Sequence, residues 1–231
     1  MDIYPKSEDI GIRNMATDWW VFENAKKPSF RHYKWTRPET SFGYGQDWEW
    51  VEKVTSLSVR ELIRRPTGGG VVRHGQDWTY CMVLPEGHAS CKIPPLDLYK
   101  EVHQCIEKAF TERGVQTQLQ PCPTQKKKII PGDCFREPVG WDLMNVDLTR
   151  KIAGAAMKRS RKGLLLQGTI EIDQDPNIDV QEFENSFIYF LSQVLEEPND
   201  YVSWPANITS EIEKISDQFS DLEWKKHRVR T

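Results

Sequence analysis

The sequence lacks the features that direct a chain into a membrane or onto a nucleic acid. No run approaches the ~18 apolar residues that span a bilayer. Acidic residues fall near the N-terminus, where a signal peptide needs an apolar core. Lysine and arginine number 31 against 34 aspartate and glutamate, for a formal net charge of −3. This balance gives no electrostatic basis for binding nucleic acid or an anionic membrane, so we predict neither partner and a cytoplasmic protein.

Cysteine and histidine are too sparse and too scattered to indicate a disulfide framework or a metal site. The chain has five cysteines, an odd number with no framework spacing, and we predict reduced thiols. Neither the CxxC nor the HxxxH spacing of metal ligands occurs. The signatures of nucleotide-binding loops are missing as well, because no Gly-Lys-Ser/Thr and no GxGxxG follows a strand.

The chain of 231 residues contains no internal repeat, low-complexity linker or shift in composition, which predicts a single domain over residues 1–231. Alternating and β-branched patterns predict strands over residues 30–36, 78–84, 151–158 and 163–172. Apolar stripes predict helices over residues 97–114, 182–195 and onward from Ser210, whose Glu213 completes a capping-box pattern; residues 18–24 are predicted to open another. This order predicts an α+β, or mixed α/β, fold rather than a βαβ repeat.

Three successive glycines mark the most unusual local stretch, residues 64–74. Gly68, Gly69 and Gly70 follow Arg65 and Thr67, and such a run favours positive φ or close approach of the backbone to a ligand. Amides without side chains can receive a carbonyl or phosphate oxygen, and flanking arginines add charge. A tight, flexible hairpin explains the glycines equally well.

A second stretch places a thiol and a lysine upstream of small residues. Cys134 follows a Pro-Gly-Asp turn, and a loop thiol near basic residues is a candidate nucleophile, although most such cysteines are inert. Lys151 precedes Gly154 and Ala155, small residues that would let its charge approach a developing oxyanion or a phosphate. Taken alone, Lys151 fits a solvated surface lysine better.

Four blocks of the sequence, in order, resemble the lipoate–protein ligase and octanoyltransferase superfamily, which is related to biotin–protein ligase. They are residues 13–18, residues 33–38 with 41–46, residues 64–74 with Asp77 and Tyr80, and Cys134 through residues 151–154 to 167–170. Gln167 departs from the pattern, because many relatives have a histidine beside this glycine. That difference puts any role of a histidine there in doubt.

The resemblance implies a biotin/lipoate protein ligase-like catalytic domain, a mixed sheet packed with helices around a tunnel for an eight-carbon acyl chain. Arg65 and the three glycines would cradle the acyl carbonyl or an adenylate phosphate, with His74 at the edge of the site. Lys151 would polarise the activated carbonyl. The acceptor would be a lysine on a lipoyl carrier domain of a 2-oxoacid dehydrogenase, or on glycine cleavage H protein.

Two chemistries occur within this family. Octanoyltransferases take an octanoyl group from acyl carrier protein onto a cysteine and need no cofactor, whereas ligases use ATP and Mg²⁺ to form an acyl-adenylate, some with a separate accessory subunit. By this resemblance Cys134 occupies the place of the nucleophile in the cysteine-dependent branch, and we expect no accessory C-terminal domain, so we favour the transferase. A third hypothesis is a binding protein without catalytic activity.

Residues 126–128 form a short lysine run. It is interpreted either as a docking site for an acidic carrier or as a solvated loop.

Overall fold

The computed structural model describes residues 1–122, 132, 137–172 and 178–229. Six α-helices are found in these ranges: α1 (Gly11–Asn24), α2 (Trp48–Thr55), α3 (Pro95–Glu112), α4 (Val180–Leu195), α5 (Ile208–Ser220) and α6 (Leu222–His227). The strands are β1 (Asp2–Ile3), β2 (Ser7–Asp9), β3 (Ser29–Trp35), β4 (Glu39–Phe42), β5 (Leu62–Arg64), β6 (Val72–His74), β7 (Trp78–Pro85), β8 (Thr117–Leu119), β9 (Leu143–Asn145), β10 (Lys151–Ser160), β11 (Gly163–Ile170) and β12 (Asp200–Tyr201).

The main sheet is mixed and follows the order β12-β1-β3-β7-β11-β10-β9-β8, with β2 also paired to β3. Its centre is antiparallel, from β3 through β7 and β11 to β10, whereas β1, β2 and β12 join it in parallel. The mixed α/β fold predicted from the order of elements is therefore confirmed.

Helices cover both faces of this sheet, because strands such as β7 carry apolar side chains on both faces. Its residues alternate between two cores, with Trp78, Tyr80 and Met82 in the core beneath α3 and α4. Cys81 and Val83 face the other core, formed by α1, α5 and α6. A strand buried on both faces reads as a continuous apolar run, which is the pattern of this segment.

A smaller three-stranded sheet, β5-β4-β6, lies outside the main one. Phe42, Val51, Leu62 and Val71 pack together between this sheet and α2. The segment from Gly43 to Gln46 and the triple-glycine segment both extend from this small sheet, so its position determines where they lie.

Arg64, at the end of β5, joins the small sheet to the last helix. Its buried guanidinium donates to the backbone carbonyls of Lys225 (2.7 Å) and Lys226 (3.4 Å) in α6. The same group donates to the carbonyls of Gly43, Tyr44 and Gln46 at 3.4, 2.6 and 3.0 Å. Burial, with the nearby charge of Arg228, lowers the pKa of Arg64 to about 10.

Most of the predicted elements are confirmed, with three corrections. The helix predicted over residues 18–24 begins earlier, at Gly11, and ends at Asn24. The predicted capping box at Ser210 is wrong: the helix begins at Ile208, and the Ser210 hydroxyl donates to the carbonyl of Asn207. The apolar stripe beyond Ser220 belongs to α6, because the chain turns between the two helices.

Within the described ranges, no helix combines the length and apolar character needed to cross a membrane. Cys81, Cys91, Cys105 and Cys122 are free thiols.

Candidate functional site

A cleft opens between the α1 face of the main sheet and the small sheet. It encloses about 470 Å³ of empty space, counting its open mouth. Apolar side chains from α1, β3 and β6 form one side of it, and β10 and β11 form the floor. Its lining residues are Met15, Tyr33, Trp35, Arg65, Val72, His74, Thr79, Lys151, Gly154, Ala155, Ala156, Gln167, Gly168 and Thr169.

Lys151, the first residue of β10, is 5 % exposed and forms an ion pair with Asp142, whose Oδ2 lies 2.9 Å from its Nζ. The side chain lies across Gly154. A Cβ atom on Gly154 would lie 2.2 Å from Lys151 Cε and 2.3 Å from Nζ. Glycine is therefore required at this position for the lysine to occupy its place, and the interpretation of Lys151 as a solvated surface residue is wrong.

Asp142 is fully buried and anchors this pair through further contacts. It accepts hydrogen bonds from the Tyr99 hydroxyl and from the backbone N–H of Val139 at 2.7 Å. The Tyr99 oxygen in turn accepts from the N–H of Ala155 at 3.0 Å. Burial and the neighbouring Asp142 charge raise the pKa of Tyr99 well above its ordinary value, so its hydroxyl remains a donor to the carboxylate. Lys151 is thus held at one fixed point on the cleft floor.

The triple-glycine segment is tied to the main sheet through Gln167. The buried Thr67 hydroxyl donates to Gln167 Oε1 at 2.7 Å, and Gln167 Nε2 donates to Asp18 Oδ2 in α1 at 2.6 Å. Asp18 also accepts from Arg31 and Tyr33 at 2.7 and 2.9 Å. The residue that departs from the family pattern therefore positions the segment.

The glycines differ in how closely other atoms pack against them. Gly69 has φ of +81°, and a Cβ on Gly43 would lie 2.0 Å from the Gly69 carbonyl oxygen. The two segments can approach this closely because both lack side chains at the contact. A Cβ on Gly68 would meet nothing within 4 Å. Positive φ at Gly69 is a feature that the glycine run predicts, and a role of these glycines as a cradle for a ligand stays a prediction.

Arg65 and His74 lie on the small-sheet side of the cleft. The Arg65 guanidinium donates to Ser41 Oγ at 2.7 Å and to the carbonyls of Gly68 and Gly70 at 3.0 and 2.7 Å. The His74 ring contacts Ser41 and Asp77 through its two nitrogens, at 2.7 and 2.8 Å. Arg65 therefore fixes the triple-glycine segment as well as contributing its charge to the cleft.

Of the ten residues predicted for the site, five line the cleft: Arg65, His74, Lys151, Gly154 and Ala155. Thr67 and the three glycines do not line the cleft: Thr67 binds Gln167, and the carbonyls of Gly68 and Gly70 accept from Arg65. Cys134 and the lysine run at 126–128 lie outside the described residues.

Sequence reasoning assigned no role to Asp142, Ser41, Gln167 or Tyr99. Asp142 precedes a short strand and Tyr99 lies in a regular helical stripe, so neither shows a local pattern that would single it out. The one available signal was Gly154, since a glycine inside a strand indicates close approach by another group.

The comparisons with known proteins agree with this architecture. The family model described as the lipoyl protein ligase A/B catalytic domain matches residues 11–229. The chain belongs to this family. Relatives of this lipoyl protein ligase A/B chain include the octanoyltransferase LipM of Halalkalibacterium halodurans, 30 % identical over 72 % of the chain, and that of Geobacillus kaustophilus, 31 % identical over 71 %. The matches cover 64 % and 63 % of those relatives, so the chain spans less than two thirds of their length.

Solved structures of lipoyl protein ligases share the fold. Lipoate-protein ligase A bound with ATP superposes with a TM-score of 0.73 at 17 % identity, covering 99 % of this chain and 98 % of the other. A lipoate protein ligase described together with its E2 lipoyl domain, from Thermoplasma acidophilum, gives 0.70 at 16 % identity, covering 100 % and 97 %. At these identities the likeness establishes the fold.

Proposed function

We propose that this protein transfers an octanoyl or lipoyl group to a lysine of a lipoyl carrier domain, and that the favoured donor is octanoyl-acyl carrier protein. The observation that carries the proposal is the buried Lys151–Asp142 pair on the floor of the cleft, facing the Arg65 side of the small sheet. A fixed cation in a site largely closed to water stabilises negative charge on a carbonyl oxygen far better than one in bulk solvent.

The cleft suits an acyl thioester. Met15, Trp35 and Val72 offer an apolar wall for the acyl chain. Lys151 would bind the carbonyl oxygen of the thioester on the cleft floor. Because the donor arrives already activated as a thioester, this route needs neither ATP nor a metal ion.

Gly132 supports a role for Cys134, which follows it by two residues. Its carbonyl accepts from the N–H of Val71 at 2.9 Å and from Gln46 Nε2 at 3.2 Å. Val71 directly follows the triple glycine, so these contacts hold Gly132, two residues before Cys134 in the sequence, beside the glycine segment.

In the proposed reaction, the Cys134 thiolate attacks the thioester carbonyl and forms a new C–S bond, and the carrier thiol leaves with a proton. The neutral amine of the acceptor lysine then attacks the Cys134 thioester. An amide bond forms, the C–S bond breaks and the thiol of Cys134 is regenerated. Lys151 would donate a hydrogen bond to the oxyanion in both steps.

A second candidate is an ATP-dependent ligase that forms a lipoyl-adenylate with ATP and Mg²⁺, with or without a separate accessory subunit. It is favoured by the fold shared with lipoate-protein ligase A bound with ATP over nearly the whole chain. The names of the relatives support the transferase, and the ligase described with its E2 lipoyl domain supports a lipoyl domain as acceptor. Glycine cleavage H protein is the alternative acceptor.

The test incubates the purified protein with an apo lipoyl domain and follows the intact mass of the domain. One reaction contains octanoyl-acyl carrier protein without ATP; the other contains lipoate with ATP and Mg²⁺. We expect an octanoyl mass gain in the first, abolished by Cys134→Ala and preserved in the matched control Cys91→Ala, whose thiol is half-buried beside Leu84 and Pro85.

A lipoyl gain confined to the second reaction would identify a ligase and remove Cys134 from the mechanism. No gain in either reaction would contradict the transferase and a ligase that acts alone, and would point to a missing accessory subunit, a wrong carrier or a binding protein.

A further inference from the structure

The hydrogen bonds that reach Arg65 continue through three side chains on the small-sheet side of the cleft. Arg65 Nη1 donates to Ser41 Oγ at 2.7 Å, and Ser41 Oγ lies 2.7 Å from His74 Nε2. His74 Nδ1 lies 2.8 Å from Asp77 Oδ2. Ser41 is fully buried, and the side chains of His74 and Asp77 are 4 % and 8 % exposed, which limits competition by water for these hydrogen bonds.

Asp77 determines which group donates and which accepts in each of these hydrogen bonds. Besides His74, it receives hydrogen bonds from the Thr79 hydroxyl at 2.7 Å, the Thr169 hydroxyl and the N–H of Gly75 at 2.9 Å. Burial alone would raise its pKa, but the charge and hydrogen bond of His74, with the two hydroxyls, hold the pKa of Asp77 well below its ordinary value. Asp77 is therefore a carboxylate that accepts from every neighbour.

The remaining hydrogens follow from this arrangement. His74 Nδ1 must carry a hydrogen toward Asp77, so in the neutral imidazole Nε2 is an acceptor. The single hydrogen of Ser41 then points at His74 Nε2, which leaves the Ser41 oxygen to accept from Arg65. Each group has one orientation that satisfies both of its neighbours.

The imidazole ring is fixed from the side as well. Trp35 stacks on it with ring centroids 3.8 Å apart and planes 11° from parallel. Trp35 Nε1 donates to Thr79 Oγ1 at 2.8 Å, and Thr79 is one of the donors to Asp77. The ring cannot turn without breaking contacts to two neighbouring strands.

We propose that Ser41, His74 and Asp77 are positioning residues for acyl transfer, which act by fixing the guanidinium of Arg65. Nη1 is held by Ser41, while Nη2 holds the carbonyls of Gly68 and Gly70. Released from Ser41, the guanidinium would rotate, and the triple-glycine segment would lose its fixed geometry along with it. The inference rests on the proposed function, because the activity that it adjusts is acyl transfer.

A double-mutant cycle tests the inference. We expect Ser41→Ala to lower kcat for octanoyl transfer by roughly tenfold, the cost of slight misplacement at a reacting centre, with KM for the lipoyl domain unchanged. In the Arg65→Lys background, the guanidinium and its two Nη groups are already absent. There, Ser41→Ala should lower kcat by less than about twofold. Effects of Ser41→Ala that multiply with those of Arg65→Lys would show that Ser41 acts independently and overturn the proposal, as would a wild-type kcat in Ser41→Ala.

Ser192→Ala is the matched control, because Ser192 is a buried serine of α4 that donates to the Tyr189 carbonyl. It should retain wild-type kcat. Circular dichroism and thermal unfolding would establish that each variant is folded.

A measurement that needs no turnover separates this inference from the proposed function. ¹⁵N NMR of His74 should show hydrogen on Nδ1, the nitrogen that faces Asp77, in the wild type. Hydrogen on Nε2 would overturn the proposed direction even if acyl transfer is observed. Hydrogen on Nδ1 in a protein without transferase activity would support the hydrogen-bond network of Ser41, His74 and Asp77. It would refute the proposed function alone.

Discussion

At the scale of single residues, the cleft holds charges that have almost no contact with water. Removing a charge from water costs several kcal/mol, and this cost is recovered only when the partner and its hydrogen bonds are all present. Lys151 and Asp142 meet that condition through Tyr99 and the Val139 N–H. Changing one member of such a pair leaves the other buried and uncompensated.

Asp142→Asn should therefore destabilise the protein by about 3 kcal/mol, because it leaves the Lys151 ammonium without its counter-charge. Urea unfolding followed by circular dichroism measures the loss. The exposed pair of Lys162 and Glu23 supplies the comparison, and Glu23→Gln should change stability by less than about 1 kcal/mol. Equal effects of the two substitutions would contradict the buried pair.

Gly154→Ala should reduce acyl transfer by about a hundredfold while the protein stays folded, because the added methyl group takes the place of the Lys151 side chain. Single-turnover kinetics with the thioester donor measures it. A Gly154→Ala enzyme with unaltered turnover would show that the position of Lys151 is not critical.

The sequence predicted some of these residues and not others for a physical reason. Lys151 and Gly154 belong to one strand, so their juxtaposition is local and readable. Asp142 meets Tyr99 across 43 positions of sequence, and Thr67 meets Gln167 across 100. Contacts of that range depend on strand register and helix packing, which local patterns do not encode.

At the scale of elements, length decides what can be predicted. The strands β7, β10 and β11 have 8, 10 and 8 residues and show their patterns clearly. The strands of the small sheet have three or four residues, which is too short for a period to emerge. This sheet nevertheless holds the triple-glycine segment, so the part of the fold that shapes the site was the least visible in the sequence.

Gly43→Ala tests the coupling between the small sheet and the glycine segment. Its Cβ would lie 2.0 Å from the Gly69 carbonyl oxygen, and backbone rather than a flexible side chain would have to move. We expect faster hydrogen exchange over residues 66–71, with residues 163–170 of β11 unchanged, together with lower transfer activity. Unchanged exchange at 66–71 would mean that the two segments are not coupled.

At the scale of the whole molecule, the core on the α3 and α4 face of the sheet encloses two histidines. His32 stacks on Trp78, and His103 is a fully buried residue of α3 with no partner for its Nε2 among the described residues. Burial lowers the pKa of each to about 4. The hydrogen bonds of His32 to the Thr79 carbonyl and of His103 to the Tyr99 carbonyl raise the pKa, but by less. Both therefore stay neutral in the folded protein at pH values where the unfolded chain takes up protons.

Stability should consequently fall as pH drops from about 6.5 toward 4, because in that range the unfolded state binds more protons than the folded state. Each histidine contributes a slope of up to about 1.4 kcal/mol per pH unit. Urea unfolding across this range measures it, and His103→Gln should remove about half of the slope. The exposed His227→Gln is the control; a pH-independent free energy of unfolding in the wild type would contradict neutral buried histidines.

The carbonyl contacts of Arg64 have a consequence for the order of events during synthesis. Lys225, whose carbonyl it binds, is added 161 residues after Arg64. At roughly 5–20 residues per second, that delay is on the order of ten seconds or more. Through this interval the buried guanidinium lacks two of its acceptors, so the small sheet is incomplete on the ribosome. The cleft therefore reaches its final form only when α6 has been made, and a nascent chain that stops before it carries an unfinished site.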